Sequence, residues 1–284
     1  MRAEVVTTVN AAARAITIEQ YEDCTRASRD TTEFIASDWR PILRTNGLVA
    51  FADFWNFPGT AVDAPNVARG GWSHVAKHEL KLPSGGIATL YTKRQLHYQT
   101  KSWRHPFVGE PTLKREFHNL KKCRDHGVPT ASMVYFATAK VEGKPAAILI
   151  TEALTGFAPL DVYLQSLPPD AALARGAVLL AVARVIAHLH ASGLKHGCFY
   201  PKHILVPTNG IGQLHLLDFE KARPFLLRHR AMRRDFGTLF RRLPMCSRED
   251  FEVFRREYCV RTQKRWCPIS QPLPSSWTAR ELHL

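Results

Sequence analysis

LKHGCFYPKHILVPTNGIGQLHLLDFE, residues 194–220, is the stretch on which the fold turns. Two apolar runs of near-equal length, Ile204-Leu205-Val206 and Leu214–Leu217, flank Thr208-Asn209-Gly210-Ile211-Gly212. Such runs around a glycine-bearing turn predict a hairpin. Its open end sets His203 beside Asp218. The segment Lys195–Lys202 just before it is polar and broken by Gly197 and Pro201, so it cannot continue a helix and forms a loop at the same end. A loop residue, a strand-end histidine and a strand-end aspartate therefore converge.

Upstream, Asp170 reads as the cap of an apolar helix running to about Ala191, with Leu173, Ala177, Leu180, Val185 and Leu189 on its buried face. Before Glu152 the period changes from helix to strand. Strands are predicted at Val67–Arg69, His74–Leu82 and Ile87–Tyr91, with turns at Gly70-Gly71 and Pro83–Gly86. A helix follows, with Pro111 near its start, Leu113, Phe117 and Leu120 at helical spacing and a stop at His126-Gly127. Two more strands, Ser132–Ala137 and Ala146–Thr151, enclose the turn Glu142-Gly143-Lys144. Three strands, a helix and two strands ahead of a mainly helical half make an α+β chain. The predicted organisation is a poorly ordered arm (1–33), a first lobe with an N-terminal extension (34–151) and a second lobe with a C-terminal tail (152–284).

This order matches the requirements of phosphoryl transfer, in which one hairpin holds a catalytic loop and a metal-binding aspartate while a lysine from the other lobe reaches the phosphates. Lys93 closes the third strand and Glu116 lies on the helix after it, so an ion pair between them would orient the lysine. Gly70 and Gly71 lie between the first two strands, where a flexible backbone can approach phosphates.

Composition sets the outer bounds. With 284 residues, 45% of them hydrophobic and 10% aromatic, the chain can build one large core or two coupled lobes. A net charge of +14 calls for an anionic partner: nucleic acid, a membrane surface or a phosphorylated substrate. Six scattered cysteines without a CxxC pair read as reduced thiols in a cytosolic protein, with no structural zinc. No signal-peptide core is visible at the N-terminus, and Arg184 and His188 interrupt the apolar run from Ala171 to Leu189, so a transmembrane chain is not expected.

The blocks GGWSHV (70–75), YTKRQ (91–95), HPFVGEPTLKREF (105–117), ILITEAL (148–154), HGCFYPKHILV (196–206) and LLDFEKAR (216–223) resemble those of the lipopolysaccharide kinases, and most closely their InaA-like branch. The resemblance spans about Asn66 to Leu243. It implies a bilobal protein-kinase-like fold, with a five-stranded antiparallel N-lobe plus one helix and a reduced, mainly helical C-lobe. It also implies a Gram-negative bacterial enzyme, cytoplasmic or peripheral at the inner membrane, using ATP and Mg2+ to phosphorylate a core sugar. On the matching positions, Lys93 would hold the α/β phosphates and Glu116 would position it. Asp218 would bind the metal, with His203 at the second metal-ligand position. Gly70, Gly71, Ser73, Glu152 and Leu154 would line the ATP site. His196, Cys198 and Lys202 belong to the catalytic loop, and Asp235 resembles an aspartate that braces it. Only 16 residues separate Asp218 from Asp235, which leaves no room for a long peptide-binding segment.

Cys198 stands where the family pattern has an aspartate to accept the substrate proton. A positioned general base is worth about 10²–10⁴-fold in rate, and a thiol, in general mostly protonated near pH 7, is a poor substitute. Two readings follow: a kinase of reduced efficiency, or a non-catalytic pseudokinase that binds nucleotide as a regulatory module. His196 is expected to hold the loop through hydrogen bonds. Lys202 either reaches a phosphate or faces water. Lys101, Arg104, Lys114, Arg115, Lys121, Lys122 and Arg124 form one basic group, and Arg228 to Arg242 contains a second. They are either solvated faces or a surface for lipopolysaccharide core or another anionic sugar or lipid. No nucleic-acid motif accompanies the charge, so nucleic acid is the weaker reading.

Overall fold

Side chains alternate between buried and open along the second half of the 71–81 strand, and that strand pairs along its whole length with the one after it. The remaining long strands assemble outward from this hairpin. The computed structural model describes residues 33–262 apart from 69, 101–108 and 211. The predicted arm (1–33) lies almost wholly outside this range, as do Lys101, Arg104 and the tail beyond Thr262.

The chain forms two compact units. The first runs up to Lys114 and adds Ser132–Ala153; the second comprises Arg115–Ala131 and everything from Leu154. In order, the first contains β1 (Glu33–Ile35), α1 (Trp39–Thr45), α2 (Phe51–Asn56), β2 (Thr60–Ala61), β3 (Asn66–Ala68), β4 (Gly71–Lys81), β5 (Ile87–Leu96), β6 (Gln99–Thr100) and β7 (Glu110–Pro111). Helix α3 (Thr112–Asp125) begins there and continues into the second unit, and β8 (Met133–Val141) and β9 (Lys144–Glu152) complete the first.

The main sheet has seven strands, ordered β1-β8-β9-β5-β4-β2 with β3 on β4, and every pairing in it is antiparallel. Five strands were expected. The additional two, β1 and β2, are three and two residues long, too short for a period of two to register in sequence. The turn expected at Gly70-Gly71 is tighter than that, because Gly71 is already the first residue of β4. Helices α1 and α2, absent from the sequence reading, place Trp39, Leu43, Phe54 and Trp55 in one core with Leu80, Leu90, Tyr135, Ile148 and Ile150. The Phe54 ring stacks on Tyr135 with centroids 3.7 Å apart.

The second unit adds β10 (Phe157–Pro159), α4 (Leu160–Ser166), α5 (Ala172–Ala191), β11 (Leu194–Lys195), β12 (Ile204–Pro207), β13 (His215–Leu216), β14 (Arg223–Pro224), α6 (Arg228–Phe240) and α7 (Arg248–Arg261). Helix α5 is apolar enough by composition to cross a membrane, with a mean hydropathy of 1.7. It is instead the core helix of this unit, burying Val178, Leu179, Val182, Ala183, Val185, Ile186 and Leu189. Two details of its reading are corrected. Leu173 is 92% exposed, next to an exposed Ala172 at the start of the helix. Asp170 does not cap the helix: the N-cap is Ala171, with no side-chain hydrogen bond. Against α5 packs α7, started by Ser247, whose hydroxyl accepts the Asp250 amide, and tied by Arg175 to Asp250 at 3.1 Å. Cys123, Cys198 and Cys246 are free thiols, in line with the reading of reduced cysteines, while Cys24 and Cys267 lie outside the described residues.

Candidate active site

The hairpin forms as its apolar runs require: Ile204 pairs with Leu216 and Leu205 with His215. Short 3-10 turns flank it, Pro201–His203 before β12 and Phe219–Lys221 after Asp218. At its open end the His203 Nε2 lies 3.5 Å from the Asp218 Oδ2. The other ring nitrogen, Nδ1, is 2.9 Å from the Cys198 carbonyl oxygen. A carbonyl only accepts, so Nδ1 carries the proton there. Nε2 therefore presents either a lone pair or, in the imidazolium, a second proton toward Asp218. The Cys198 carbonyl also accepts the Tyr200 amide at 2.7 Å, closing a tight loop in which the Cys198 side chain is only 4% exposed.

Asp218 adopts a left-handed conformation, φ 60° and ψ 71°. Aspartate tolerates this better than most residues, but it persists only when neighbours enforce it. Helix α3 supplies the enforcement: Asn119 Nδ2 donates to the Phe219 and Ala222 carbonyls at 3.0 and 3.1 Å, and Arg115 Nε to the Glu220 carbonyl at 2.8 Å. The same helix brings Glu116, 5% exposed, to Asp218 and Glu220. One carboxylate oxygen from each of the three lies within 4.8 Å of the others. An all-oxygen set suits a hard cation such as Mg2+.

The loop is held from beneath by Asp235 on α6. Its two oxygens accept the amides of His196 and Gly197, each at 2.8 Å. His190, at the end of α5, lies with Nε2 3.1 Å from Asp235 and Nδ1 2.8 Å from the Tyr258 hydroxyl on α7. With Nε2–H donating to the carboxylate, a neutral ring accepts the tyrosine proton at Nδ1. Burial works to raise the Asp235 carboxyl, but the hydrogen bond from His190, with further help from His196 and the Gly197 amide, holds it below the ordinary value. His196 is fully buried, and burial pushes its imidazole down to about 4 against the pull of Asp235. Its Nε2–H donates to the Leu217 carbonyl at 2.9 Å, so it ties the loop to the hairpin. Gly197 is required here: φ is 77°, and a Cβ would sit 2.6 Å from the Lys221 carbonyl oxygen. Lys202 is exposed.

Within the first unit, Lys93 lies inside β5, paired with Val75 and Leu149, and not at the strand's end as expected, because β5 continues to Leu96. Gly70 is an exposed turn residue at φ 80°. At Gly71 a Cβ would fall 2.1 Å from the Leu96 carbonyl oxygen, so strand packing alone demands glycine there. Ser73 Oγ accepts from Gln95 Nε2 at 3.3 Å. Glu152 accepts the Trp39 indole proton at 2.6 Å, and the amides of Glu152 and Ala153 already donate to the Ser132 and Thr89 carbonyls. Leu154, in the second unit, is half-buried.

Residues 52–258 match the lipopolysaccharide kinase (Kdo/WaaP) family. The chain belongs to that family. It is similar to Protein InaA of Escherichia coli (strain K12), 35% identical over 210 residues that cover 73% of this chain and 94% of that protein. Its fold is similar to that of WaaP, solved in complex with acyl carrier protein, at a TM-score of 0.58 and 19% identity over 80% of this chain and 88% of the other. Among these lipopolysaccharide kinase residues, sequence reasoning missed Glu220, His190 and Tyr258. Glu220 follows Asp218 by two positions in DFE, a local signal that could have been read as a second carboxylate. His190 and Tyr258 carried none, being a helical histidine and tyrosine 68 residues apart.

Proposed function

We propose that this member of the lipopolysaccharide kinase family is an ATP- and Mg2+-dependent phosphotransferase that moves the γ-phosphoryl group onto a sugar hydroxyl of the lipopolysaccharide core or a related anionic sugar or lipid. The observation that carries this reading is the meeting of the Glu116 carboxylate of α3 with those of Asp218 and Glu220 at the end of a hairpin whose leading loop is anchored by Asp235. A Mg2+ held by these oxygens would supply charge neutralisation to the transferring phosphates. Lys93 is assigned the α/β phosphates, with Glu116 positioning it. Gly70, Gly71 and Ser73 are assigned to the phosphate side. With the Glu152 and Ala153 amides engaged, adenine recognition falls to the Glu152 carbonyl and the Leu154 backbone. His203 keeps the loop and Asp218 in register and is a further ligand of the same site. The protein is assigned to the cytoplasmic face of the inner membrane, and an acyl carrier protein is a second proposed partner on the strength of the WaaP complex.

Titration calorimetry with Mg-ATP tests the reading. Saturable binding is expected, weakened at least about tenfold by Asp218→Asn through loss of one metal-ligand charge. Absence of heat or thermal shift at millimolar Mg-ATP would remove the reading.

A second reading, a nucleotide-binding pseudokinase, is favoured by one observation: the side chain at the proton-acceptor position is a buried thiol. It predicts Mg-ATP binding without phosphate transfer to any core-sugar acceptor. Turnover abolished by Lys93→Ala would eliminate it.

A further inference from the structure

We propose that the Leu226-Leu227 tip and the outward face of α6 form a docking edge for an anionic lipid bilayer, the leucines entering the interfacial layer and Arg230, Arg233 and Arg234 meeting the lipid phosphates. Leu226 is 101% exposed and Leu227 46%, at the point where the chain leaves β14 and enters α6. A single exposed leucine is unremarkable; two adjacent ones at the head of a basic helix are a different case.

The helix itself is two-sided. Ala231, Met232, Asp235, Phe236, Leu239 and Phe240 are buried in the second unit, while Arg230, Arg233 and Arg234 are exposed at three- and four-residue spacing. None of these three arginines forms an ion pair with a described carboxylate. The one acidic residue of α6, Asp235, is buried and committed to the His196 and Gly197 amides, so the outward face carries a single sign of charge. Arg241 continues it at the C-terminal end, and the Arg242 guanidinium lies 4.2 Å over the Tyr200 ring, beside the catalytic loop.

The pairing of features selects the occupant. Arginines alone would serve any polyanion, but a fully exposed Leu226 beside a half-exposed Leu227 adds nothing to the binding of a nucleic-acid backbone. A protein partner would need a complementary surface of about 800 Å² per side, far more than two apolar side chains provide. A bilayer accepts a small apolar wedge of any shape and sets phosphates around it. The segment starts eight residues after Asp218, so the edge would bring a lipid-linked acceptor to the site. In this respect it rests on the phosphotransferase reading.

Co-sedimentation of the full chain with vesicles of phosphatidylcholine containing 30% phosphatidylglycerol, against phosphatidylcholine alone, tests the edge at low and moderate salt. Binding to the anionic vesicles is expected to fall at least about tenfold in Leu226→Ser/Leu227→Ser, and similarly in Arg230→Gln/Arg233→Gln/Arg234→Gln. Unchanged thermal melts and Mg-ATP binding in the variants show that the fold survives these surface changes. No wild-type binding to anionic vesicles overturns the edge, as does equal binding by the leucine variant. Preference for a DNA duplex or an acyl carrier protein through the same arginines, with no loss in the leucine variant, also overturns it. Failure of Mg-ATP binding with vesicle binding intact would remove the phosphotransferase reading and leave the edge standing.

Discussion

Cys198 occupies a position whose backbone geometry is intact: its carbonyl holds His203 and Tyr200, and the residues before it are fixed by Asp235. On the proposed phosphotransferase reading, the side chain wanted here is a carboxylate. Cys198→Asp should therefore raise phosphate transfer to a core-sugar acceptor by about 10²-fold or more, the scale of a positioned base. A variant that binds Mg-ATP as the parent does and still transfers nothing would support the pseudokinase reading. A second residue-scale effect concerns pH. Burial lowers His78 to about 4, with the Pro58 carbonyl opposing and Arg94 adding to the shift, and it lowers His196 to about 4 as well. Both titrate near 6.5 when unfolded. Above that pH neither state is protonated and these histidines give no slope. Between about 6.5 and 4 the unfolded chain binds protons that the folded chain refuses, so stability falls as pH falls. Urea unfolding at pH 7, 5.5 and 4.5 should show this decline, with a shallower one in His78→Gln. An identical slope in that variant would deny His78 its share.

At the scale of elements, three helices end on one point: α5 delivers His190, α6 Asp235 and α7 Tyr258. Tyr258→Phe removes one hydroxyl, leaves the His190 Nδ1 without its donor and should cost about 1–3 kcal/mol, the penalty of an unsatisfied buried polar atom. Its local signature is more telling. Hydrogen exchange at the His196 and Gly197 amides should accelerate more than exchange in the main sheet. Uniform acceleration would mean that the tyrosine matters only for packing. The hairpin on which this brace acts was legible in sequence, because the lengths of its apolar runs and its turn are local quantities. The face of α5 was not. Its hydrophobicity runs nearly all round, so no moment distinguishes Leu173, which faces out, from Val178 and Leu179, which face in.

For the molecule as a whole, the N-terminal extension is part of the first unit's core and no appendage. Helix α1 lies entirely before residue 52, where the family match begins, yet Trp39 and Leu43 are buried in one core with the strand residues. Leu43→Ala should cost about 2–5 kcal/mol, the range for a leucine removed from a packed core. Chemical denaturation should show it, with a lowered midpoint. A cost below about 1 kcal/mol, the level of a surface change, would make the extension dispensable.

The sequence by itself determined the α+β class, five of the seven strands of the main sheet, the hairpin and the convergence of His203 with Asp218, since each follows from periodicity or from neighbours a few residues apart. Only the tertiary structure decided that Glu116 joins Asp218 and Glu220, that Gly71 answers to strand packing, that Asp235 is itself held by His190 and Tyr258, and that α1 and α2 close the sheet. These depend on side chains up to about a hundred residues apart meeting in three dimensions, and such contacts leave no period in the chain.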